Sequence, residues 1–264
     1  MSIKSVAYEN RSEMANSFYV VLPSNASYKV FPNNKLHTYK VQIPKLPSTE
    51  GEWTVGLTEI TYPSRWPNLK DTGYIYIKWN EDEAPVDYAI EPGFYSDVPE
   101  LLSVMHDILS RNNSGVTDGK FQTQYDKYSN KVLLAIFGSF EVSFSANLAA
   151  RLGFESNKYY SRGGSLAPYP ADVNDGATAL YVYSDIVQKR LVGDDMLPLL
   201  KVVPAEPRIS KTSHKWVTFQ NVEYVPAVKT NVDTIEINIR RDDGQIIPFE
   251  NGKVVVTLHF KQIQ

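Results

Sequence analysis

Residues 231–260, NVDTIEINIRRDDGQIIPFENGKVVVTLHF, carry the clearest folding signal in the chain. Ile235, Ile237 and Ile239 alternate with Glu236, Asn238 and Arg240. A period of two puts the isoleucines on one face and the polar set on the other, which is a half-buried strand. Asp243-Gly244 offers the positive φ of a tight turn. Ile246, Ile247 and Phe249 suggest a short second strand, with Pro248 marking an edge or a bulge. Asn251-Gly252 is a hairpin signal. Val254, Val256 and Leu258, followed by Phe260, alternate through a last strand. The reading is two closing hairpins whose buried core is Ile235, Ile237, Ile239, Val254, Val256 and Leu258. A slip of one residue would turn all of these to water, so the register is firmly set.

Working outward, the same alternation recurs. Phe18–Leu22, Tyr39–Ile43, Trp53–Tyr62, Tyr74–Trp79, Leu180–Val187, Leu197–Val203, Trp216–Phe219 and Val222–Val225 all read as strands. In Trp53–Tyr62, Trp53, Val55 and Leu57 share a face that Glu59 and Thr61 continue. Gly56 there points to a bulge or a close approach. The chain changes character in the middle. Ser96 is placed to cap a helix over SDVPELLSVMHDILSR, with Val98, Leu101, Leu102, Met105, Ile108 and Leu109 on one face. Strands follow over 121–125, 132–137 and 142–144. A short helix, ANLAARL, comes next, capped by Ser145 and closed by Gly153.

The fold class is therefore mainly β: a single jelly-roll β-sandwich with an inserted small α+β segment. Residues 1–16 read as a flexible N-terminal arm. Residues 17–264 form the jelly-roll domain, with the insert over about 88–154 and a long loop over 155–178. That loop is longer than an ordinary connection. Its Tyr159, Tyr160 and Tyr169 are candidate partner contacts, because exposed tyrosines are favoured at interfaces.

Composition narrows the function. The 264 residues include seventeen Tyr, eleven Phe and sixteen Pro, and the formal net charge is −3. Lys and Arg are scattered, with none of the basic striping of a nucleic-acid binder. The chain has no cysteine, which excludes disulfides, thiolate zinc sites and cysteine nucleophiles. No apolar run reaches the length of a membrane span. The N-terminal residues lack the apolar core of a signal peptide.

The search for chemistry is short. His37, His106, His214 and His259 stand far apart in sequence, with no metal-ligand spacing. No nucleophile elbow, Walker loop or dinucleotide fingerprint occurs. The carboxylate groups Glu81-Asp82-Glu83, Asp194-Asp195 and Asp242-Asp243 sit at turn signals, where Asp serves the backbone. Asp185, an acid in the apolar run LYVYSDIV, looks set to pair with Lys189 or Arg190. The expectation is no catalytic residues, no metal and no cofactor: not an enzyme.

Four phrases carry a resemblance: SFYVVLPSNAS (17–27), GEWTVGLTEITYPSRWPN (51–68), LYVYSDIVQKRLVGDDMLPLLKVVP (180–204) and DTIEINIRRDDGQIIPFENGKVVVTLHF (233–260). With GFYSDVPELLSVM (93–105) and FSANLAARLGF (144–154), they resemble the minor capsid (penton) protein of Polinton/Maverick elements and adintovirus-like viruses. The resemblance implies a structural viral capsid protein, a penton or minor capsid subunit. Such a subunit forms homopentamers at the five-fold vertices of an icosahedral particle, beside a double jelly-roll major capsid protein. It implies location in the virion at the capsid vertex, assembly inside the host cell, no direct nucleic-acid binding and no membrane span. The alternative is a jelly-roll carbohydrate- or receptor-binding module.

Overall fold

The computed structural model describes residues 17–44, 51–80, 82–112, 116, 119–174, 178–205, 214–228 and 232–263. The arm expected over 1–16 lies outside them. The chain opens with β1 (Ser17–Pro23), β2 (Thr38–Gln42) and β3 (Trp53–Pro63). Next come β4 (Gly73–Lys78), β5 (Val86–Ile90), α1 (Val98–Asn112), β6 (Phe121–Asp126), β7 (Lys131–Ile136), β8 (Glu141–Phe144), α2 (Ala146–Leu152) and β9 (Gly163–Leu166). It ends with β10 (Ala179–Ser184), β11 (Arg190–Val192), β12 (Asp195–Leu197), β13 (Leu199–Pro204), β14 (His214–Thr218), β15 (Tyr224–Pro226), β16 (Thr234–Arg240) and β17 (Val255–Gln262). The protein is mainly β, and the strand pairings are antiparallel.

The described residues fall into two compact units. One takes the chain up to Arg65 and from Ala177 on; the other runs from Trp66 to Gly176. The second unit holds the expected 88–154 insert and most of the 155–178 loop. It also takes in β4, because β4 pairs with β5 and β8.

The first unit contains two main sheets, in the orders β1-β17-β3-β14 (with β15 also on β3) and β13-β10-β16-β2. Ile235, Ile237 and Ile239 on β16 and Val254, Val256 and Leu258 at β17 are all fully buried. β16 and β17 belong to different sheets, so the expected closing hairpins do not form. β16 pairs with β2 and β10, and β17 with β1 and β3. The Asp243-Gly244 turn closes with the Arg241 N–H donating to the Gln245 carbonyl at 2.9 Å. Beyond it Ile246 makes only a single bridge to Arg240. Residues 247–250 form no strand; Ile247 and Phe249 are buried in the link that carries the chain from one sheet to the other. The Tyr39 hydroxyl on β2 donates to the Leu22 carbonyl on β1 at 3.0 Å, joining the sheets through the core. Burial holds that phenol neutral well above its usual range. This arrangement is consistent with a β-sandwich.

A bulge decides the face of β3. Glu59 pairs with Thr257 and Leu57 with Leu258, which leaves Thr58 extra. The inward set is therefore Trp53, Val55 and Leu57, then Ile60 and Tyr62. The simple alternation that put Glu59 and Thr61 inside fails because the added residue inverts the facing. Gly56 serves close approach: a Cβ there would lie 2.3 Å from Val222 Cγ1.

In the second unit, sheets β5-β4-β8 and β6-β7-β9 share one core with both helices. The helix cap differs from the expectation. Asp97 Oδ1, not Ser96, accepts the Glu100 N–H at 2.8 Å, while the Glu100 carboxylate accepts the Ser96 N–H. This is a capping box shifted by one residue. The Ser145 hydroxyl likewise makes no bond to the α2 amides; it accepts the Tyr74 N–H at 2.9 Å and ties β4 to the helix start. Gly153 closes α2 at φ +77°, as its position implies.

Candidate assembly surfaces

Three places on the described surface expose apolar and aromatic side chains. In the first unit, the outward face of the β1-β17-β3-β14 sheet carries Tyr19 and Val21 from β1 and Trp216 from β14. Tyr19 is 64% exposed and Trp216 67%. Register lines up Tyr19 with His259 and His259 with Gly56, and Gly56 with Tyr224. Because Gly56 has no side chain, the Tyr224 ring can settle beside it. The Tyr19 ring stacks on the His259 imidazole at 4.3 Å, and the Tyr224 hydroxyl meets His259 Nδ1 at 2.7 Å. Burial first, and then Lys261, lowers the His259 pKa, so the ring is neutral at pH 7. Among the described residues, β1 ends this sheet's order.

Beside this face, Glu223 pairs with Arg190 and, at 3.0 Å, with Lys201. Those hydrogen bonds, Arg190's first, hold its carboxyl below the ordinary range. Arg190 is thus committed to Glu223. Asp185 lies in the turn after β10, not in a strand, and its Oδ1 accepts the Glu236 N–H at 2.8 Å. Of the two expected partners of Asp185, Lys189 and Arg190, Arg190 pairs with Glu223 instead, and Asp185 caps the Glu236 amide.

In the second unit, the outer face of β6-β7-β9 exposes Leu133 and Leu166, which are cross-strand partners, and Phe137 just beyond β7. Alternation explains Leu133: Val132, Leu134 and Ile136 take the core side. β9 was hidden in the sequence because Gly163-Gly164-Ser165 has almost no strand propensity. Within the segment expected as a long loop, Gly163–Leu166 thus form a strand.

The three candidate tyrosines of that segment part company. Tyr159 and Tyr169 are exposed, at 39% and 60%, whereas Tyr160 is 7% exposed. Tyr160 exchanges two backbone hydrogen bonds with Val142, and its ring meets Phe154 edge-on at 5.0 Å. It is a core residue, and its neighbour Tyr159 faces outward beneath the Lys78 ammonium at 6.0 Å.

Two of the carboxylates bind a nearby backbone amide. Asp243 Oδ1 accepts the Gln245 N–H, and Asp195 Oδ1 the Met196 N–H. Glu81 lies outside the described residues. Among the described residues, no three His, Asp or Glu side chains gather as a metal would require. No helix there is long and apolar enough to cross a membrane.

Compared with solved structures, the chain matches the mavirus penton protein with a TM-score of 0.51 at 11% identity, over 94% of this chain and 100% of that one. The chain shares the fold of that protein. A second match is a chain of the Sputnik virophage particle, at a TM-score of 0.47 and 10% identity, covering 94% and 98%. No protein-family model matches the sequence, and no curated protein does.

Proposed function

We propose that this chain is a penton-type capsid subunit of a Maverick-like virus or element, related to the Polinton and adintovirus proteins. In this reading the first unit is a single jelly roll, and the protein is structural rather than enzymatic. It forms homopentamers at the five-fold vertices of the virion, beside a double jelly-roll major capsid protein. The observation that carries the reading is the end-to-end match in fold with the mavirus penton protein, over 94% of one chain and 100% of the other.

The surfaces support the same reading. A closed ring needs a heterologous interface, one face of each subunit meeting a different face of the next. The Tyr19–Trp216 face and the Leu133–Leu166 face offer apolar and aromatic material of the kind interfaces are built from. A stable ring contact needs about 800 Å² from each partner.

The test is the mass in solution by light scattering over a range of concentrations and salt. A particle of about five times 29.9 kDa supports the assignment. A monomer at every concentration, with no binding to a double jelly-roll major capsid protein, overturns it.

A further inference from the structure

One concave surface of the first unit has no part in the account above. It lies on the face of the β13-β10-β16-β2 sheet turned away from Ile235, Ile237 and Ile239. Its volume is about 520 Å³, within the roughly 300–1,000 Å³ of small-ligand sites. We propose that this groove binds a neutral saccharide.

The strands fix its floor. Tyr183 lines it from β10, and Tyr181 stands on the same face beside the lining, the two rings 6.5 Å apart and inclined by only 24°. Register sets Arg240 opposite Tyr181 and Asn238 opposite Tyr183. Asp195, Leu197 and Pro198, from the β11–β12 hairpin and the residue after it, supply one wall. Sites carried on strands hold their geometry better than sites on loops.

The polar groups are oriented, and several still have bonds to give. Arg240 Nε donates to Asn238 Oδ1 at 3.2 Å, and its Nη1 to the Gly244 carbonyl at 3.0 Å. With Oδ1 engaged, the Asn238 amide nitrogen is left as a donor. Asp195 uses Oδ1 on the Met196 N–H at 2.7 Å, which leaves Oδ2 as an acceptor. Glu236 is anchored by Lys40 at 3.1 Å. Neither the Tyr181 nor the Tyr183 hydroxyl bonds any described residue.

The groove therefore presents the Tyr183 ring surrounded by mixed donors and acceptors. Sugar hydroxyls donate to carboxylates and accept from amide and guanidinium N–H groups, while the C–H face of a pyranose covers an aromatic ring. A polyanion would meet Asp185, Asp195 and Glu236. A lysine-rich peptide would meet the Arg240 guanidinium. An uncharged polyol satisfies both halves of the set. The site is distinct from Tyr159, Tyr160 and Tyr169, and it stands whether or not the chain forms pentamers.

The test is an array of neutral oligosaccharides ending in hexoses or N-acetylhexosamines, with sialylated ones alongside, probed with the full chain. Any hit is then titrated by NMR as free sugar. The expected result is binding of neutral sugars with a Kd of roughly millimolar or tighter. Tyr183→Ala and Asn238→Ala should each weaken it at least tenfold with an unchanged melting temperature. Tyr183→Phe, which keeps the ring, should weaken it less than Tyr183→Ala. Four outcomes overturn the proposal: no neutral sugar binding at several millimolar, binding unaffected by those variants, exclusive binding of sialylated sugars, or displacement of the sugar by a lysine-rich peptide from the same residues.

Discussion

Leu57 and Ile60 share the buried face of β3, although three positions separate them on a strand of period two. The extra residue is Thr58. Its hydroxyl fills the gap in the ladder by donating to the Thr257 carbonyl at 3.0 Å, and its own carbonyl accepts the Phe219 N–H at 2.9 Å. A bulge so pinned is part of the fold's specification.

Thr58→Val keeps the shape and removes that hydroxyl. The Thr257 carbonyl then loses a partner in a partly buried place. The expected cost is about 1 kcal/mol, read from the urea midpoint with an unchanged m-value. Deletion of Thr58 should do far more, since it would turn Ile60 and Tyr62 to the wrong face and prevent folding.

Periodicity made much of this fold legible. The α1 helix, its inward residues, and the strands β6, β7 and β8 stand within a residue or two of where the pattern puts them. The order of the strands in sheets did not follow from the pattern. A link such as 241–253, with its turn residues and with Ile246, Ile247 and Phe249, reads as hairpin hardware whether it joins neighbours or crosses between sheets. β9 was invisible because its glycines carry no side-chain pattern. The candidate contact surfaces were legible only as a surplus of aromatic residues. Exposure depends on which face the third dimension covers, as adjacent Tyr159 and Tyr160 demonstrate.

Ile237 tests the β16 register. It is fully buried opposite Tyr39 on β2 and Ser184 on β10. Ile237→Asp would place a carboxylate among apolar neighbours, at a cost of several kcal/mol. The purified variant should be insoluble or melt far below the parent. A parent-like melt would mean that Ile237 does not face the core.

Gly153 tests the second unit. At φ +77° any other residue is strained, and a Cβ would lie 2.1 Å from the Tyr169 carbonyl oxygen. Gly153→Ala should destabilise by roughly 2 kcal/mol or more. Hydrogen exchange should speed up at Tyr169, whose N–H donates to the Gly153 carbonyl at 3.1 Å.

Acid should weaken the fold in two separate windows. Burial lowers the pKa of His106, His37 and His259 below the ordinary 6.5. The unfolded chain then takes up protons before the folded one, and stability falls as pH drops from about 6.5 toward the folded values. Glu223 acts lower down. Its depressed pKa gives stability that is present above the ordinary 4.5 and lost as pH falls through the folded value. Melting temperatures from pH 8 to 3 should show both declines. His106→Gln should flatten the upper one, and Glu223→Gln the lower one.

The last prediction separates two adjacent tyrosines. Tyr160 packs on Phe154 and completes the unit's core, and its hydroxyl accepts the Glu155 N–H at 3.3 Å. Tyr160→Ala leaves a cavity where an aromatic ring stood, which costs about 3–5 kcal/mol. Tyr159→Ala removes an exposed ring whose only described partner is the Lys78 ammonium, and such surface changes stay within about 0.5 kcal/mol. A loss of partner binding in Tyr160→Ala therefore reports damage to the fold. The same loss in Tyr159→Ala, with the melting temperature unchanged, reports a contact. Denaturant midpoints for both variants, measured beside their oligomer mass, distinguish the two. If Tyr160→Ala were as stable as the parent, the placement of residues 155–162 against the core would be wrong.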